Sequence, residues 1–137
     1  MVFQKRYVVI SWMMAVFVWF FIFYTSSLTF ATGGGTGYLS YIYHFSVFFA
    51  FAFFLLVASL QGRFKKEIFA LVIILAIVYG ISDEFHQYFV PGRYYDYKDM
   101  LLDGAGAMGA GIVYIAALLV NRLLQSHHLI QNNAEDN

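Results

Sequence analysis

Apolar residues run through this chain in long blocks and do not alternate with polar ones. The first block, from Tyr7 to about Phe30, contains no charged side chain. The second runs from about Leu39 to Leu60, and His44 is its one histidine or charged residue. The third runs from about Ile68 to Val90 and stays apolar until Ser82; the fourth runs from about Asp99 to Val120. A transmembrane helix needs about 20 mostly apolar residues, and each block has that length. The pattern predicts an all-α polytopic membrane protein. It is a four-transmembrane-helix bundle with helices over about 7–30, 39–60, 68–90 and 99–120, within a domain spanning 1–124. Residues 125–137 are polar and read as a tail that frays.

Composition agrees. Of 137 residues, 61% are hydrophobic and 12% charged, against about 25% charged in soluble domains. A soluble globule of this size would lack the polar groups to cover its surface. With no cysteine, disulfide scaffolds and thiolate metal sites are excluded. Eight basic residues balance eight acidic ones, so no net field draws the chain to nucleic acid. The partner implied by this surface is membrane lipid.

The positive-inside rule sets direction. Lys5 and Arg6 precede the first helix, Arg63, Lys65 and Lys66 separate the second from the third, and Arg122 follows the fourth. The other side carries only Arg93 and Lys98, beside Asp96 and Asp99. Both termini are therefore expected in the cytoplasm of a multi-pass protein of the cell membrane. The first block has a basic start, but its apolar run exceeds the 7–15 residues of a signal-peptide core, so it is expected to stay as a span. Thr32-Gly33-Gly34-Gly35-Thr36-Gly37 reads as an outer turn; it lacks the GK[ST] ending of a phosphate-binding loop. Gln61 to Glu67 forms the inner turn. His127-His128, adjacent in the tail, reads as a solvated pair.

Ionisable groups inside a membrane are costly and mark function by default. Asp83, Glu84, His86 and Gln87 fall in the last two turns of the third helix. At 1.5 Å per residue, Asp83 lies roughly 10 Å below Val90. His44 enters from the outer side on the second helix, Asp99 and Asp103 begin the fourth, and Arg93 lies on the loop before it. All converge on the outer third. Asp83 and Gln87 share a face, as do Asp99 and Asp103; Glu84 is turned about 100° from Asp83, toward the face of Gln87 and Tyr88. Like charges this close repel unless protonated or paired, and Arg93, able to fork onto a carboxylate, is the expected partner. A polar network that locks helix register is the structural alternative, although so many ionisable groups exceed what packing requires. On the fourth helix, Ala105/Gly109, Gly106/Ala110 and Ala107/Gly111 are small-xxx-small pairs that permit close helix approach. They place that helix inside the bundle, with Asp103 held against the third.

The block Ser82-Asp83-Glu84-Phe85-His86-Gln87-Tyr88-Phe89-Val90-Pro91-Gly92-Arg93, followed by Asp99, Asp103, Gly104, Ala105 and Gly109, resembles the VanZ-like family of small bacterial membrane proteins. Tyr43-His44-Phe45 is similar to that family's His-Phe segment. Many members carry a Lys a turn before this His, where Ser40 and Tyr41 stand here. The resemblance implies a link to glycopeptide resistance, teicoplanin in particular, in the founding member, and supplies no reaction.

The resulting expectation is an outward-facing acid/His/Arg site that binds or modifies an outer-leaflet cell-envelope ligand, such as a lipid-linked cell-wall precursor or a glycopeptide. Glu84, His86, Asp83 and His44 are the candidate catalytic side chains, exchanging protons. Arg93, Gln87, Asp99 and Asp103 are the candidate substrate-binding ones. His44, His86 and the carboxylates could ligate a divalent cation, but no HExxH pattern supports it, so no metal or other cofactor is assigned. The alternatives are a structural or regulatory partner of another membrane protein, working through the glycine face, and a small transporter. The latter calls for midplane polar residues that the sequence lacks.

Overall fold

The structure, a computed structural model, describes residues 4–29, 37–93 and 95–135. Four helices account for nearly all of it: α1 (Lys5–Ser26), α2 (Tyr38–Leu60), α3 (Lys66–Tyr88) and α4 (Tyr97–Glu135). All four are long and apolar enough to cross a membrane, and no strand occurs among the described residues. Residues 30–36, with most of the glycine-rich turn, lie outside the described residues.

Local chemistry sets the helix ends. α1 stops where Thr25, Ser26 and Ser27 turn their hydroxyls back onto carbonyls of Phe21, Ile22 and Phe23, competing with the backbone pattern. Gln61 closes α2 in the left-handed conformation at φ 53°, followed by Gly62 at φ 78°. α3 ends two residues short of Val90 because Pro91 cannot continue it, and Gly92 takes the φ of 81° that the turn needs. Asp96 caps α4, its carboxylate accepting the Lys98 N–H at 2.9 Å.

α4 does not end near Val120 but continues helically to Glu135. Residues 121–135 contain neither Gly nor Pro, and extending an existing helix avoids the cost of nucleation. At 39 residues, α4 is roughly 58 Å long, well beyond the ~30 Å hydrocarbon core of a bilayer.

α2 is the hub, packing against α1, α3 and α4. α1 gives it one stripe, Ser11, Ala15, Val18, Ile22 and Ser26, at helical spacing. α4 turns inward with Asp103, Gly106, Ala107, Ala110, Gly111 and Tyr114. At Gly106 the backbones nearly touch: an added Cβ would overlap the Phe45 carbonyl oxygen and lie 2.9 Å from the Phe49 nitrogen. At Gly111 it would meet Phe69 at 2.9 Å. The small-residue face is thus used within the bundle, between α4 and its neighbours α2 and α3. Away from the acidic cluster, Leu56, Val57, Leu60, Val72, Ile73 and Tyr114 form an apolar core. The Tyr114 hydroxyl accepts the Gly62 N–H there at 3.2 Å.

Gly106→Ala is expected to destabilise the bundle by about 1–3 kcal/mol, the cost of overpacking. Gly104, with nothing within 4 Å of an added Cβ, is expected to accept alanine with no loss. Denaturant unfolding of both variants in detergent compares the two.

Candidate functional site

The polar side chains gather at one end of the bundle, where α1 and α3 finish and α2 and α4 begin. Three helices supply the centre. His44 of α2 is 2% exposed, Asp83 of α3 4%, and Glu84 of α3 and Asp103 of α4 are fully buried. Burial at this level demands partners.

His44 Nδ1 donates to Asp103 Oδ1 at 2.9 Å, and its Nε2 lies 3.4 Å from Asp99 Oδ2. One imidazole therefore joins α2 to both acids of α4, which sit one turn apart on the same face. Asp103 reaches this position because residue 80 of α3 is glycine: a Cβ there would lie 2.8 Å from the Asp103 Cβ. Asp83 accepts from Ser26 Oγ of α1 at 2.5 Å and from Gln87 Nε2 at 2.9 Å. Gln87 in turn accepts from Arg93 Nη2 at 2.7 Å. Arg93 thus reaches the acids through Gln87 as a relay. Glu84 Oε2 accepts the Asp96 N–H at 3.2 Å, tying the α3–α4 loop to the site.

Glu84 and Asp83 both face inward. The 100° between successive residues fits within the wide buried stripe of α3, which runs Val72, Ile73, Ala76, Gly80, Asp83, Glu84 and Gln87. Tyr88 is instead exposed. His86 points elsewhere: its Nε2 shares a 3.0 Å hydrogen bond with Ser27 Oγ, and its ring stacks on Phe23 at 5.0 Å between centroids. The structure therefore brings His44, Asp83, Glu84, Gln87, Arg93, Asp99 and Asp103 into one connected cluster, with His86 on the α1 side of α3.

Three carboxylate oxygens, Glu84 Oε1, Asp99 Oδ1 and Asp103 Oδ2, are buried without a hydrogen-bond partner among the described residues. One donor atom each from His44, Asp83 and Glu84 also lie within 4.8 Å of one another. The site thus has acceptor capacity to spare.

Ser26, the Asp96 N–H and Gly80 carry no signal in the sequence that would set them apart. Ser26 sits among other hydroxyl residues at a helix end; Gly80 is a single glycine in an apolar run. Thr25 adds a further tie between α1 and α2 by bonding the Tyr43 hydroxyl.

These features define a small helical membrane protein with a buried acid–histidine cluster at one end. The VanZ/LLP1 family model matches residues 3–120, and the chain belongs to that family. No curated protein and no solved structure matches it.

Removing one member of the His44–Asp103 pair leaves the other buried and unpaired. Asp103→Leu is expected to destabilise the protein by about 3–5 kcal/mol. Adding His44→Leu should recover much of that loss, because an apolar pair needs no partner. A double-mutant cycle of unfolding free energies in detergent measures the coupling.

Proposed function

We propose that this chain binds or modifies an outer-leaflet cell-envelope or lipid-linked ligand at the acid/His/Arg cluster. In this reading the cluster end faces outward and both termini are cytoplasmic. The observation that carries the proposal is a juxtaposition. A polar site at one end of a membrane bundle lies on the same helix turns as an open apolar groove of about 480 Å³ between α3 and α4, lined by Ile77, Ile81, Tyr97, Met100, Leu101, Gly104 and Met108. Ile81 precedes Asp83 by two residues, and Met100 and Gly104 flank the turn that carries Asp103. A lipid-linked molecule needs both halves: a groove for the chain and polar groups for the head. In the bilayer such a groove fills with hydrocarbon, so a chain there makes its contacts without displacing water.

Roles follow from position. Arg93, half-buried at the rim, is the group to hold a phosphate or carboxylate by bidentate contact. Asp99 stands beside it at the first turn of α4. Glu84, Asp83 and His44 lie deeper and are the groups able to accept or return a proton. His86 remains a candidate for proton exchange on the α1 side. Hydrolysis or group transfer is the chemistry this set permits. The family association points to the cell envelope, and teicoplanin susceptibility is the first phenotype to examine. The regulatory-partner reading loses its anchor, since Gly106, Ala107, Ala110 and Gly111 are already packed inside the bundle.

Two measurements test this. The chain has no cysteine, so single cysteines report sidedness without background. In intact cells a membrane-impermeant maleimide should label Tyr95→Cys and spare Phe64→Cys; the reverse would invert the site. In a glycopeptide-sensitive host, wild type is expected to raise the teicoplanin inhibitory concentration. Glu84→Gln and Arg93→Lys at matched protein levels should remove the effect. Full protection by both variants would detach the function from this cluster.

A further inference from the structure

We propose that the cluster is a divalent-cation site. His44, Asp83 and Glu84 are its ligands, Asp103 is the carboxylate that orients His44, and the ion is of the Zn²⁺ or Mn²⁺ type. The inference concerns the same pocket as the envelope-ligand reading and gives it an electrophile. It rests on donor geometry, however, and is measured without any substrate.

The ligand atoms come from two helices and are already assembled. One donor atom each of His44, Asp83 and Glu84 fall within 4.8 Å of one another, and all three residues are buried. Three ligands about 2.0–2.2 Å from one ion stand roughly 3–3.6 Å from one another, so closure around an ion draws the donor atoms inward by up to about 1 Å each. A separate observation bears on the same cluster. Glu84 is fully buried, yet its Oε1 has no hydrogen-bond partner among the described residues. Asp103 Oδ2, equally buried, is in the same condition. An unpartnered buried carboxylate oxygen forfeits its hydration with nothing in return, and a cation is the partner that satisfies several such oxygens together.

The surroundings have the form that metal sites take. A ligating histidine commonly donates its other ring N–H to a carboxylate, which fixes the ring and raises its basicity; the 2.9 Å bond from His44 Nδ1 to Asp103 is of this kind, and an ion at Nε2 would replace that nitrogen's 3.4 Å pairing with Asp99 Oδ2. Asp83 is likewise held from behind by Ser26 and Gln87. Asp99 is the least enclosed acid, its side chain 14% exposed against 2% for His44, and marks the way in. The mixed nitrogen and oxygen set selects the metal. Imidazole favours zinc-like ions over magnesium and calcium, and carboxylates without thiolates keep manganese in contention. A bound ion would act as a Lewis acid toward a phosphoryl or carbonyl oxygen of the ligand held at Arg93.

The test uses the full chain in detergent, carrying His127→Gln and His128→Gln so that the C-terminal part of α4 contributes no imidazole. After chelator treatment and desalting, Zn²⁺ and Mn²⁺ are titrated in separate experiments. The expected result is saturable binding of one ion per chain with a rise in the thermal midpoint. Glu84→Gln and Asp83→Asn should each weaken binding by at least about tenfold. Should either variant fail to fold, pulsed EPR of the Mn²⁺-loaded parent decides, and a single imidazole ¹⁴N coupling is expected. A folded parent that takes up neither ion would overturn the inference, as would uptake without nitrogen coupling or uptake unchanged in folded Glu84→Gln and Asp83→Asn. A metal-free protein whose teicoplanin phenotype still depends on Glu84 and Arg93 would sink the metal and keep the envelope ligand.

Discussion

Four carboxylates packed into an apolar bundle must find their compensation locally, and almost every tertiary feature at one end of this protein answers that demand. Asp103 and Asp99 share His44, Asp83 takes Ser26 and Gln87, and Glu84 takes the Asp96 N–H. The donors come from α1, α2, α3 and the α3–α4 loop, so satisfying the acids also fixes how the helix ends stand against one another. This matters more in lipid than in water. Helix faces gain little from apolar contact when the surrounding solvent is equally apolar, and register depends on close packing and polar ties.

The polar cluster and the glycine contacts are one device. Gly106 lies three residues after Asp103 on the buried face of α4, and the backbone it meets is that of Phe45, next to His44. The depth to which α4 sinks onto α2 therefore sets the His44–Asp103 distance. Gly80 does the same from α3 by leaving room for the Asp103 side chain. A methyl group at either glycine would be felt as a displaced carboxylate, even though neither residue carries chemistry of its own.

Much of this was legible in the chain. Four apolar blocks gave four helices, and the i, i+4 spacing of Asp83 and Gln87 gave a real hydrogen bond. Helix rise converts sequence position into height, so their places along α2, α3 and α4 are enough to gather His44, Asp83, Asp99 and Asp103 at one end. Rotation about the helix axis is harder to read. Whether Glu84 turns inward depends on how deeply α3 is wedged between its neighbours, a tertiary quantity, and the same uncertainty hid His86 turning toward Phe23. Ser26 was invisible for another reason: a serine at a helix end is ordinary, and only the fold brings it to Asp83. The polar stretch after Val120 kept its helix because composition reports burial more directly than it reports backbone conformation.

A network made only to lock register would be expected to satisfy its members, since a half-satisfied buried network is less favourable than an apolar core of similar shape. This one does not. Among the described residues, Glu84 Oε1, Asp99 Oδ1 and Asp103 Oδ2 are left without partners, and Glu84 also stands with His44 and Asp83. Hydrophobic residues would hold these helices more cheaply, and the opposite end shows that they can: Leu56, Leu60, Val72 and Ile73 form an apolar cluster there with no acid among its members. The contrast between the two ends of one bundle supports the proposal that the acids serve something other than the fold. Surplus acceptors around an oriented imidazole, next to an apolar groove, are what the proposed ion and ligand would satisfy.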